Sequence, residues 1–535
     1  MQLIDWLVVG FYMLLMLTLA ALIGRGQRNT SDYYLGANRM SALSLASSTI
    51  ATQCSTNSLL GAPAFVGFTL GGGLLWLQYE LAVPLAMLAL IYLLTPIRRL
   101  GVISVYEFLE RRLGPAARLV ASGSFQIFRG VATGVTVYGV ALVLTLIMEV
   151  TFTQAVLLMM GVTIAYDVLG GMRAVVFSDV VQLVLLTGAV VVSLCLLGLQ
   201  VGGFAPFFDQ RTDTLSDQWG LTGGSDYGFW PMLIGGFFLY AAYYGCDQSQ
   251  AQRVLSARSE SDTQRVLLYN GILRFPLVFG YCLLGLGLAA YAATDPAFVA
   301  SLPLSESGMP NYNLAYPYYV LEHFAPGFVG LVMVGIFAAA MSSIDSSINS
   351  LSAATVEDFL HRFRRLSERQ LFVASKLTTL FWGGFAVAFS YQVERIAPTV
   401  LEAINKIGSM VNGPLLALFT LALLAPKVGQ TRAIVGFFVG VGGNFVLWQG
   451  FPGVSWLWWN VFGFITAIGV TALCAVPSFM RSTAGVSNSD ASQNRPRLGF
   501  SLVRVAVPAR LQGALLLMAV LIFLICLALD RITPA

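Results

Sequence analysis

Fourteen mostly apolar stretches recur along the chain, each long enough to cross roughly 30 Å of hydrocarbon at about 1.5 Å of helix rise per residue. They cover residues 3–24, 42–68, 72–97, 116–148, 153–170, 175–200, 229–247, 267–292, 326–352, 370–391, 398–425, 432–450, 454–477 and 510–529. Short polar segments separate them, and none is built to fold as a soluble domain. The pattern predicts an all-α, polytopic membrane protein of about 14 transmembrane helices. Arg25 and Arg28 follow the first stretch, which lacks a small-residue cleavage site, so it reads as a retained helix and not a signal peptide.

Two spans break this apolar rule internally. In the second, Ala51-Thr52-Gln53-Cys54-Ser55-Thr56-Asn57-Ser58 is a polar run followed by Gly61 and Pro63, which favours local unwinding. The seventh closes on Tyr243-Tyr244-Gly245-Cys246-Asp247-Gln248-Ser249-Gln250. If residues 1–30 stand outside a repeat, these broken helices open two five-helix blocks, 42–200 and 229–425. Broken helices at matching points of two halves point to a secondary transporter built on inverted repeats. Residues 432–535 then add further helices, with a Ser- and Asn-rich flexible linker at 478–507.

Composition agrees: 57% of the 535 residues are apolar and 10% charged, which excludes a soluble globular class. The net charge of +4 follows from loop polarity and points to no nucleic-acid or protein partner. Arg25, Arg28, Arg39, Arg98, Arg99, Arg111, Arg112, Arg173, Arg253, Arg258, Arg265, Arg362, Arg364, Arg365, Arg369, Lys427, Arg432, Arg481 and Arg495 fall in alternate loops, which marks those loops as cytoplasmic. Loops 201–228 and 293–325 carry Asp and Glu with Arg211 as their one Arg, so both termini are expected on the extracytoplasmic side of a cell membrane. The six cysteines lie within or beside spans and show neither disulfide nor metal spacing.

The ninth span carries the most chemistry. On a helix, Gly335, Ala339, Ser342, Asp345, Ser346 and Asn349 share one face. Hydroxyls of Ser342 and Ser343, beside backbone carbonyls of Ala51, Cys54 and Ala339, offer the oxygen ligands that a hard cation such as sodium prefers. Small residues also permit close helix packing, but Asp345 is too costly in hydrocarbon for packing alone. Asp179 reads either as an interfacial carboxylate near Arg173 or as a further cation ligand. Arg129, about thirteen residues into the fourth span, must be paired: it either grips a substrate carboxylate or meets Glu80. His323 and His361 lie in loops on opposite sides, and Glu357, Asp358 and His361 read as a solvated helix end. Hydrolase, kinase and phosphate-loop motifs are absent, so no enzyme is expected.

Several motifs in order resemble one family: Ser31-Asp32-Tyr33-Tyr34-Leu35-Gly36, Ser104 through Arg112, Gly170-Gly171 through Asp179, Tyr244 through Arg253, and Ser342-Ser343 through Ser346. The chain resembles the sodium/solute symporters, which include sodium/glucose, sodium/iodide, multivitamin, monocarboxylate, proline and bacterial sialic acid transporters. The resemblance implies inverted five-helix repeats like the leucine transporter's and uptake coupled to sodium, the coupling ion. It implies a main sodium site at Ala51, Cys54, Ala339, Ser342 and Ser343. A second, found in some members, maps to Asp179, Ser342, Asp345 and Ser346, and this chain departs from many members in having Asp345 where they have Ser. Ser55, Ser58, Gln78 and Arg129 match positions that hold the sugar acid in bacterial sialic acid transporters, and Asp247 joins them as a candidate. An anionic solute such as sialic acid is expected, with a neutral sugar, monocarboxylate or vitamin as alternatives; a membrane sensor or passive channel fits less well.

Overall fold

The computed structural model describes residues 1–54, 56–69, 72–210, 213–222, 226–304, 308–364, 366–396, 399–425, 428–474 and 505–531. For Asn57, Leu146, 394–396 and 399–407 it describes the backbone only. Ser55, Arg211, Arg365, Lys427, Arg481, Arg495 and most of the 478–507 linker therefore lie outside the described residues.

Among the described residues, every predicted span falls on helix. The first is Leu3–Gly24, the fourth Pro115–Met148, the ninth Phe328–Ala354, and the last Ala509–Asp530. The second is split into Ala42–Gln53 and Thr56–Phe68 around Cys54, whose ψ of 61° is not helical. The seventh runs Gly236–Cys246, stops at Asp247 in extended conformation, and resumes as Gln248–Leu255. Both breaks fall where the polar runs predicted them.

The fifth and sixth spans form one helical run, Phe152–Gln200, interrupted at Gly171 (φ 53°, ψ −159°). About 13 residues of straight helix would hold Tyr166 and Asp179 roughly 20 Å apart. Instead Tyr166 bonds Asp345, and Asp179 shares Arg253 with Ser346. The halves therefore fold back side by side. Gly171 is required there: φ is positive, and a Cβ would sit 2.7 Å from the Tyr33 backbone oxygen.

Burial separates core from lipid-facing helices. The most apolar window of Phe328–Phe363 is 83% buried, against 28% for Leu3–Gly24, 28% for Gln430–Gly450 and 22% for Ala509–Asp530. The polar ninth span is thus wrapped by others, and its oxygens never meet hydrocarbon. Helices Thr56–Phe68 and Glu260–Thr294 cross closely, where a Cβ on Gly67 would lie 2.5 Å from the Gly285 oxygen.

Two expectations about charge change. Arg253 is 1% exposed and no cytoplasmic loop charge, because the seventh span restarts as a helix that carries it inward. Asp358 is 0% exposed, accepting from Arg118 Nε (2.7 Å), Ser104 Oγ (2.8 Å) and Ser122 Oγ (2.6 Å). Asp358 therefore belongs to a buried ion-pair network and not to a solvated end, whereas His361, at 56% exposed, is solvated as expected.

Candidate functional site

Breaking the second span after Gln53 leaves its last carbonyls without helical donors. The ninth span supplies partners. Ser342 Oγ donates to Ala51 O (3.0 Å) and Ala339 O (3.2 Å), and Ser343 Oγ donates to Thr52 O (2.7 Å) and Ala339 O (3.4 Å). Four of the five residues implied as main sodium ligands therefore meet around one point; Cys54 occupies the break itself and is 1% exposed. The set is all oxygen, from two hydroxyls and three carbonyls, which fits a hard monovalent cation.

Next to it lies a second polar cluster. Asp179 Oδ2 accepts from Ser48 Oγ (2.5 Å) and Arg253 Nη2 (3.2 Å). Ser346 Oγ bonds Ser342 O (2.5 Å), Asp345 Oδ1 (3.0 Å) and Thr52 Oγ1 (2.9 Å), and accepts from Arg253. Tyr166 OH donates to the other Asp345 oxygen. Asp179, Ser342, Asp345 and Ser346 are thus brought into one cluster, but the partner of Asp179 is Arg253, not Arg173. Sequence reading missed Tyr166 and also Asp167, whose Oδ1 accepts from Asn349 (3.0 Å). The missed signal in Asp167 was a carboxylate near the end of a span.

On the other face of the broken helices lies a cavity of about 440 Å³. Gln53, Ser58, Arg129, Tyr243, Asp247 and Arg274 supply much of its polar lining, with Trp76, Tyr79, Phe125, Phe128 and Trp456 among its aromatic walls. Arg129 does not meet Glu80. Its guanidinium binds Asp247 and lies 5.3 Å from the centre of the Tyr243 ring. Glu80 instead pairs with Arg274 at 2.7 Å, and Arg274 also donates to Tyr240 OH (2.8 Å). Arg274, well inside the helix Glu260–Thr294, escaped sequence reading although a lone cation in a span is itself a signal. Removing one partner of such a buried pair costs about 3–5 kcal/mol.

Gln78 is absent from that lining. Its amide donates to Tyr227 O (2.6 Å) and accepts from Ser216 N (3.3 Å), so it holds an inter-span segment in place. Among the described residues, Tyr227 is the one shared between this cavity and a second, of about 950 Å³, lined by Asp213, Asp217 and Asp226 among others.

The cation cluster and the solute-sized cavity touch. A pocket of about 40 Å³ is lined by Arg129 and Tyr243 from one and by Thr52 and Ser343 from the other. A bundle with broken helices, an oxygen-lined cation point and an adjoining cavity defines a cation-coupled secondary transporter, and no enzyme. The chain belongs to the sodium:solute symporter family, which matches residues 33–440. Sodium is its coupling ion, and a small-molecule solute its cargo.

The sodium-coupled monocarboxylate transporter 1 of Xenopus laevis is 29% identical over 83% of this chain and 71% of its own. The sodium/sialic acid symporter of Aliivibrio fischeri is 25% identical over 88% of this chain and 93% of its own. A solved structure of a sodium-coupled sialic acid symporter, substrate-bound and outward-open, superposes with a TM-score of 0.80. It is 23% identical and covers 89% of this chain and 98% of that one, a likeness that shows the fold.

Proposed function

We propose that this symporter imports a carboxylate-bearing organic anion, with sialic acid the first candidate, by alternating access across a cell membrane. The observation that supports this reading is the 40 Å³ pocket that Arg129 and Ser343 both line. The volume is enough for a water or a small ion. An anion drawn to Arg129 and a cation held by Ser343 would stabilise each other at short range, so each favours the other's binding. That reciprocity is what coupling requires.

Ala51, Cys54, Ala339, Ser342 and Ser343 hold the main sodium ion in this reading. Asp179, Asp345 and Ser346 with Ser342 form a second cation position, where Arg253 already supplies one positive charge. Ser58, Arg129 and Asp247 face the solute, Ser55 keeps the solute role that the resemblance implies, and Gln78 acts at one remove by holding Tyr227. The blocks 42–200 and 229–425 are the two inverted repeats that rock around these sites, with both termini extracytoplasmic. The two relatives named for monocarboxylates and sialic acid share a carboxylate, which favours that group over a neutral sugar.

Uptake of labelled sialic acid into proteoliposomes, with and without an inward sodium gradient, tests the proposal, with glucose, lactate and pantothenate as competitors. Sodium-driven sialic acid uptake supports it. Sodium-dependent uptake of glucose alone would overturn the anion.

A further inference from the structure

A line of hydrogen bonds joins the 440 Å³ cavity to the second polar cluster, and it passes through one residue, Ser249. At the cavity, Asp247 divides its two oxygens. Its Oδ2 binds Arg129, and its Oδ1 accepts from both the Ser249 N–H (2.8 Å) and the Ser249 hydroxyl (2.6 Å). The Ser249 carbonyl accepts in turn from Arg253 Nη1. Arg253 reaches the cluster with its other nitrogens, Nη2 on Asp179 (3.2 Å) and on Ser346, and Nε on Ser48 (2.7 Å).

The break in the seventh span is what makes this line possible. Asp247 is the N-cap of the restarted helix Gln248–Leu255, so its carboxylate satisfies a backbone donor that lacks a helical acceptor, at the positive end of the helix dipole. Arg253 follows Ser249 by four residues and therefore lies one turn on, along the same face. Gln248 holds the start of the helix, donating to Ile103 O (2.8 Å) and accepting from Val105 N (2.9 Å). The two ends of the line differ in access: the Asp247 side chain is 17% exposed where it meets the cavity, and that of Arg253 is 1% exposed. Every nitrogen of the Arg253 guanidinium is engaged, so a shift at Ser249 cannot alter one of its bonds without disturbing those to Asp179, Ser346 and Ser48.

We propose that Ser249 is a positioning residue for coupling: by tying the Asp247 carboxylate to the Arg253 guanidinium, it makes cation binding at the Asp179, Asp345 and Ser346 cluster depend on whether Arg129 is held by Asp247 or by the cargo. A cargo carboxylate that takes the Arg129 fork leaves Asp247 with the Ser249 donors as its remaining hold, and Ser249 carries that change to Arg253. The inference rests on the reading of the cargo as a carboxylate and of this cluster as a second cation position. It adds a route between solute and cation that is separate from the 40 Å³ pocket, whose lining includes neither Ser249 nor Arg253.

The test uses the full chain in proteoliposomes, with labelled sialic acid and labelled lactate as carboxylate probes. The readout is the solute KM at limiting sodium divided by the KM at saturating sodium. That ratio measures the reciprocal coupling of the two ligands, whereas a residue that only holds the fold changes the melting temperature and maximal rate and leaves the ratio alone. Ser249→Ala removes the hydroxyl donor to Asp247 and keeps both backbone bonds. A threefold or greater fall in the ratio supports the proposal. A smaller change in folded protein overturns it and leaves the carboxylate reading intact. Sodium-dependent import of neither probe by wild type overturns both. Should Ser249→Ala fail to fold, Ser249→Cys, of similar size and a weaker donor, is read by the same ratio.

Discussion

Arg253 Nη2 donates to Asp179 Oδ2 at 3.2 Å, and both side chains are sealed from solvent, at 1% and 0% exposure. The same guanidinium reaches Ser48 Oγ at 2.7 Å and also Ser346. It therefore ties the second, sixth, seventh and ninth spans at one level. Arg253→Met alone strands the Asp179 carboxylate and should cost about 3–5 kcal/mol of stability. Adding Asp179→Asn should recover most of that. Thermal unfolding of the two variants in detergent reads the difference, and equal melting temperatures would show that the pair is not a unit.

Ser343 reaches across to Thr52 O at 2.7 Å, beside the carbonyl of Ala51 that Ser342 holds. If Ser343 ligates the cation as proposed, Ser343→Ala deletes one ligand without touching the lining of the 440 Å³ cavity. The sodium concentration for half-maximal uptake should rise roughly tenfold, the scale of one lost ligand at about 1.4 kcal/mol. Solute KM at saturating sodium should stay close to wild type. Unchanged sodium activation would remove Ser343 from the cation site.

Arg129 pairs with Asp247 while lining the solute cavity. Arg129→Lys keeps a charge that can still neutralise Asp247 but loses the planar fork that matches a carboxylate. Sialic acid KM should rise by about tenfold or more with normal folding. Wild-type uptake by this variant would make the Arg129–Asp247 pair purely structural.

Gly171 joins two antiparallel helices at φ 53°, and a Cβ there would meet the Tyr33 ring at 2.7 Å. Gly171→Ala should therefore cost about 1–3 kcal/mol from backbone strain, plus the clash. Expression and size-exclusion monodispersity should both fall. A well-behaved Ala variant would show that this turn relaxes freely.

Glu110, on the short helix Tyr106–Arg112 outside the spans, accepts from Arg362 Nη1 at 2.5 Å and Arg118 Nη1 at 2.8 Å. Partial burial pushes its carboxyl up, but the two guanidiniums outweigh that and hold it below its usual range. Since the folded value is depressed, its stabilising contribution is fully present above the ordinary Glu value of about 4.3 and is lost as pH falls through the folded value. The melting-temperature gap between wild type and Glu110→Gln should be open at pH 7 and close with acidification. A gap that does not narrow as the pH falls would contradict the assignment.

The helices were legible because hydrocarbon thickness imposes one length on every span, and the breaks at Cys54 and Asp247 were legible because unwound backbone needs polar neighbours. Pairing was not. Arg129 with Asp247, Arg274 with Glu80 and Arg253 with Asp179 join residues 74 or more apart in sequence. Each Arg admits several acids until helix order in space is known. Arg253 was hidden for a further reason: it stands at the end of its motif, where counting loop charges absorbs it as one more positive residue. Gln78 lay at a position matched to a solute ligand, yet its amide is spent on Tyr227 and Ser216, a partnership that no helical periodicity encodes.

Tyr227 belongs to both the 440 Å³ and the 950 Å³ cavities, and Gln78 pins its backbone oxygen at 2.6 Å while the Phe65 ring packs 5.0 Å from its own. Any widening at this junction would first have to break that hydrogen bond and part the two rings, so one amide and one aromatic contact resist the joining of the two cavities.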